Sequence, residues 1–173
     1  MTSEVVGPQL DASQVEMKVA GLTMDPFTNM PILILKDLQG RDAVPIWIGL
    51  IEASAIATEL EKIELSRPMT HDLLKTILGT VGVSVDRVEV TDIRENTFYA
   101  SIILNRDGRT FAIDSRPSDA IALALRMNAP VFVEEEVLEK SRHHDETPDG
   151  QNSARLRKWL EEVDPDSLGK YKM

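Results

Sequence analysis

The sequence contains no cysteine in 173 residues, which excludes disulfides and thiolate-bound metals. It is also short of positive charge. Nineteen Lys and Arg stand against 29 Asp and Glu, a net −10, whereas proteins that grip a phosphate backbone usually carry a basic footprint. The acidity is uneven: residues 134–166 hold 11 acidic and five basic side chains, so a local basic groove elsewhere stays open. No apolar run approaches the ~20 residues of a membrane span. The N-terminal MTSEVVGPQLDASQ shows no basic region followed by an apolar one, so no secretory signal is visible and the expected location is cytoplasmic, away from membranes. A phosphate-cradling glycine loop, an HExxH pair and a nucleophile elbow are likewise missing. That argues against dinucleotide cofactors and acyl-transfer triads.

What is present reads as one α+β domain, an antiparallel or mixed sheet with helices packed on it. Residues 1–14 are expected to form a flexible N-terminus and 15–141 the domain. Val15 to Val19 alternates apolar and polar, as a half-buried strand does. Pro31 to Leu35 is continuously apolar, and Gln39 to Asp42 turns it into Ala43 to Ile48, so these segments predict a meander. Leu50 to Leu65 predicts a helix, broken at Ser66-Arg67-Pro68, and a second helix runs from Thr70 as N-cap to Gly79 or Gly82. Val83, Val85, Val88 and Val90 mark a strand that slips at Asp86-Arg87. Turns at Arg94–Asn96 and Asn105–Gly108 enclose a further strand, Thr97 to Leu104. A short strand at Pro130–Val133 and a helix over Glu134–Ser141 follow. Arg142 to Ser153 holds no large apolar residue and predicts a mobile polar loop. Residues 154–173 predict an amphipathic helix and tail packed on the same domain.

The chain is organised around Phe111 to Arg126, FAIDSRPSDAIALALR. Pro117 pushes Arg116 out of the α region and suits the first position of a helix. Ala120 to Leu125 is apolar on every face, so protein should wrap that helix. Its N-terminus displays Asp114, Arg116 and Asp119. Two carboxylates at a strand end and a helix start suit a divalent cation, Mg²⁺ or Mn²⁺, held by hard oxygens, and Arg116 suits a phosphate. The structural alternative has Asp119 capping its own helix while Asp114 and Arg116 pair to pin the turn. His71, at a helix N-terminus, suits a general base or metal ligand; equally, it is a capping residue. Glu52 offers a third carboxylate or a place on an exposed stripe. Arg67 is a second candidate for phosphate, among arginines at 87, 94, 106 and 109 that fall near turns and strand edges. His143-His144-Asp145 lacks the partners of a metal site, and Trp47 and Trp159 read as core or interface.

The IDSRPSDAIALALR block, followed by PVFVEEEVL, closely resembles the bifunctional nuclease family, from about Val15 to Leu138. The resemblance implies DNase and RNase activity with little sequence preference. It also implies a homodimer with a groove, for which the apolar meander edge near Pro31–Ile48 is suited. Asp114, Asp119, His71 and Glu52 would then take metal or base roles, with Arg116 and Arg67 on the substrate phosphate. The rival is a non-enzymatic regulatory or interaction domain that uses the RPSD turn as a contact surface.

Overall fold

The computed structural model describes residues 2–5, 13–143 and 158. Within the segment expected to be a flexible N-terminus, β1 (Thr2–Val5) pairs antiparallel with β7 (Arg109–Ser115). The meander is longer than its apolar core suggested: β2 (Gln14–Met24), β3 (Pro31–Asp37) and β4 (Ala43–Trp47) pair antiparallel in turn. Leu33 and Leu35 face the main core. Ile32 and Ile34 form a second buried cluster with Ala20 and Trp47. A strand buried on both faces has no alternation to show, which is why PILIL reads as a continuous run.

Two helices follow, α1 (Leu50–Leu60) and α2 (Thr70–Thr80). α1 stops five residues short of the expected Leu65. Lys62 takes a left-handed φ of 52°, and the N–H of Ile63 reaches back to Thr58 O at 3.0 Å. That is a Schellman end with lysine where glycine is usual. α2 is entered from Met69 rather than from Thr70, because the Asp72 carboxylate reaches back to the Met69 N–H at 2.8 Å.

β5 (Ser84–Arg94) and β6 (Thr97–Arg106) form a hairpin through Glu95 and Asn96, both at positive φ. Register shifts fall at Val85/Arg87, where the alternation slips, and again at Val90/Asp92. Asp107 and Gly108, also at positive φ, turn β6 into β7. Then come α3 (Pro117–Met127), β8 (Val131–Glu134) and α4 (Glu135–His143). The eight strands make one mixed sheet in the order β1-β7-β6-β5-β8-β2-β3-β4, parallel at β5/β8. The fold is α+β, as expected.

α3 is the helix the others gather on. Ile121 and Leu123 are fully buried, and the helix packs on α1, α2, β5 and β6. Asn128 ends it at φ 52°, with the Ala129 N–H bonded to Ala124 O. Arg142 and His143, expected in the polar loop, end α4 instead. The rest of that loop, and the C-terminal amphipathic segment apart from helical Lys158, lie outside the described residues.

Candidate active site

Arg116 is the N-cap of α3, held extended at φ −72°, ψ 145° by Pro117 behind it. Its guanidinium is clamped on two sides. Nε donates to Asp119 Oδ2 at 2.7 Å, one turn into the same helix, and Nη1 donates to Glu52 Oε1 at 2.8 Å, across on α1. Glu52 reaches this position by folding over Gly49: a Cβ there would lie 2.2 Å from Glu52 Oε2. A guanidinium carries five N–H donors, and the Arg116 side chain is 65% exposed. Donors therefore remain on the solvent side.

The other Asp119 oxygen faces α2, with His71 Nε2 at 3.0 Å from Oδ1. Burial pushes the Asp119 carboxyl up, but the hydrogen bonds from Arg116 and His71 outweigh it and hold the group below its ordinary value. Asp119 first and Glu52 second in turn raise the Arg116 pKa. The four side chains come from three helices and share one network.

Two hollows meet at Arg116. One, of about 260 Å³, is lined by Trp47, Gly49, Glu52, Thr97, Arg116 and Pro117 among others. The second, about 430 Å³, is lined by Thr97, Phe98, Tyr99, Asp114, Ser115, Arg116 and Asp119. Asp114 is exposed there, and its side chain makes no hydrogen bond or ion pair among the described residues. It does not pair with Arg116 to pin the turn, and Asp119 does not cap its own helix; Arg116 and Asp119 pair with each other. Trp47 is half-buried and donates from Nε1 to Asp25 Oδ2 at 2.9 Å.

Three expectations change in this geometry. His71 lines neither hollow; it stands behind Asp119 and orients it. Arg67 lines a different hollow, with Glu59, Asp72 and Arg126, so it does not join Arg116 on one phosphate. Asp114, Asp119 and Glu52 do not form a cation cage. Both Asp119 oxygens and Glu52 Oε1 are taken by His71 and Arg116, and no group of three or more His, Cys, Asp or Glu among the described residues is arranged to hold a metal.

A supporting pair carries no obvious mark in the sequence. Arg126, which follows the apolar run Ala120–Leu125 of α3, is 3% exposed. Its Nε donates to Asp72 Oδ1 at 2.6 Å, Nη1 to Ala122 O and Nη2 to Ala55 O, both at 3.0 Å. One side chain thus ties α1, α2 and α3. The Arg126 bond, then the Met69 N–H, lower the Asp72 pKa. α2 itself buries no residue completely, so this tie is what brings His71 to Asp119. The available signal was Asp72 beside His71, together with a lone arginine ending an apolar helix.

Comparison with known proteins bears on this arrangement. A model of the bifunctional nuclease domain matches residues 33–146. An uncharacterised protein of Mycobacterium tuberculosis is 36% identical over 162 residues, 88% of this chain and 97% of its own length. Rice (Oryza sativa subsp. japonica) bifunctional nuclease 1 is 28% identical over 105 residues, 58% of this chain and 32% of the plant protein. Arabidopsis thaliana bifunctional nuclease 1 is 26% identical over 107 residues, 60% and 33%. Because the matched span holds all four helices and the whole Glu52–His71–Arg116–Asp119 network, and one relative is covered almost end to end, the chain belongs to the bifunctional nuclease domain family.

Proposed function

We propose that the protein hydrolyses phosphodiester bonds in DNA and RNA, with the hollows around Arg116 as the reaction site. The observation that carries this reading is the clamped Arg116 guanidinium, fixed on two edges by Asp119 and Glu52 and open to solvent on the rest. A cation held still beside open space is suited to a phosphate oxygen and to the charge that builds on it in the transition state. The names of the plant relatives support the same chemistry.

In this reading Arg116 binds a non-bridging oxygen, and Asp114, the unengaged carboxylate of the same hollow, accepts a proton from the attacking water. The water oxygen bonds to phosphorus, the bond to the leaving oxygen breaks, and solvent protonates that oxygen. His71 and Glu52 act indirectly, through Asp119 and Arg116. No step is assigned to a divalent cation, since the carboxylates do not form a cage; Mg²⁺ or Mn²⁺ dependence is a separate measurement.

The test is cleavage of labelled DNA and RNA by rigorously purified wild-type and Arg116→Gln protein prepared side by side, with Mn²⁺ and with EDTA. Loss of the charged donor should cost about 10²–10³-fold in rate, the range for a transition-state hydrogen-bond donor. Equal rates for the two proteins would mean the site is elsewhere or the activity is a contaminant. Inactive wild-type protein under every condition would leave the interaction-domain reading.

A further inference from the structure

Phe27 and Tyr99 are the two aromatic residues exposed among the described residues, and Tyr99 lines the hollow that holds Arg116. Tyr99 is 38% exposed on β6, two residues beyond Thr97. The ring is held in place. The Arg94 guanidinium lies over it, 4.9 Å from the centroid, and Arg94 Nε is bonded to Asp92 Oδ2 at 2.5 Å. Asp92 is fixed in turn by Lys140 from α4, at 2.9 Å. The Arg94 side chain is itself 68% exposed. A guanidinium lying over a ring, beside the arginine proposed to bind phosphate, has the composition of a base-stacking platform.

We infer that this platform selects single-stranded nucleic acid, Tyr99 and Arg94 stacking an unpaired base next to the phosphate on Arg116. The inference rests on the nuclease reading above for its phosphate site. In a duplex the bases are already stacked and paired, so a ring set beside the phosphate site has no base face to meet. Charge points the same way. The chain carries a net −10, and a duplex presents roughly twice the axial charge density of one strand, so the single strand is repelled less. Stacking is tolerant of base identity, because every base has a π face. Such a platform predicts cleavage with little sequence preference.

The experiment measures binding and cleavage of three labelled DNAs of one sequence: single strand, duplex, and a single strand with abasic positions. Wild type, Tyr99→Ala, Tyr99→Phe and Arg116→Gln are compared. Tyr99→Ala should weaken binding to the normal single strand about 5- to 150-fold, the range for one stacked base. It should leave the abasic strand and the duplex unchanged, and Tyr99→Phe should retain wild-type behaviour. Arg116→Gln should weaken all three alike. If Tyr99→Ala binds the normal strand like wild type, or loses equally on normal and abasic strands, the platform is refuted while cleavage by wild type still upholds the nuclease. If wild type cleaves nothing yet the Tyr99 dependence on the normal strand appears, the platform stands and hydrolysis falls.

Discussion

Replacing Arg126 by methionine keeps most of the aliphatic stem and deletes three hydrogen bonds. All three bonds have a charged donor, and removing one side of a buried ion pair costs ~3–5 kcal/mol. The Asp72 side chain is 34% exposed, so water can rehydrate the stranded carboxylate, and the expected loss is about 3 kcal/mol, at the low end of that range. A domain with ~5–15 kcal/mol of stability should survive it folded. The assay is equilibrium unfolding in urea of wild type, Arg126→Met, Asp72→Asn and the double variant. Because the two groups touch, the double variant should lose less than the two single losses together, by at least ~0.5 kcal/mol. Hydrogen exchange should show α2 losing protection before α1, since α2 has no fully buried residue of its own to hold it. A loss under ~1 kcal/mol for Arg126→Met, or strict additivity, would refute the claim that this pair ties the helices.

Three further outcomes follow from the same geometry. Leu123→Ala should cost ~2–5 kcal/mol, because the side chain is 1% exposed in the core; Leu125→Ala should cost less, since Leu125 is only half-buried. Denaturant midpoints decide both. Gly49→Ala adds a methyl group where Glu52 Oε2 now sits, so the carboxylate should swing off Arg116 and the cleavage rate should fall while the melting temperature barely moves; a variant structure with the Glu52–Arg116 bond intact would contradict this. Asp25, Asp72 and Asp119 all titrate below their ordinary value when folded. The unfolded chain therefore binds more protons on the acid side. Their contribution is complete above about pH 4, near the ordinary aspartate value, and fades as pH falls through the lowered folded values. Urea midpoints taken from pH 7 to pH 3 should drop, less steeply in Asp72→Asn, and a flat profile would disprove the linkage.

Local chemistry made much of the fold legible and little of the site. Asn128 after an apolar helix and Pro117 before it announced both ends of α3, because φ preference is a property of a few neighbouring residues. Alternation failed at Asp86-Arg87 because a bulge is there. Where a non-glycine residue takes the left-handed position, as Lys62 does, no local signal marks the end, and α1 stops before the sequence predicts. The network depends on something else. His71 and Asp119 are 48 residues apart, and Arg116 and Glu52 are 64 apart. Which helix lies beside which is decided by packing across the whole sheet, and no local pattern carries that. The arrangement of the carboxylates is illegible for the same reason. From the sequence Glu52, Asp119 and Asp114 read only as three carboxylates, but their role is set by the cation that reaches them, and Arg116 arrives at two of them first. Arg126 makes the point most sharply. At the end of ALALR it has the look of a helix C-terminal cation facing water. It is buried because three helices converge and leave the Ala55 carbonyl facing inward beside the half-exposed Asp72 carboxylate, and a fork of donors reaches both at once.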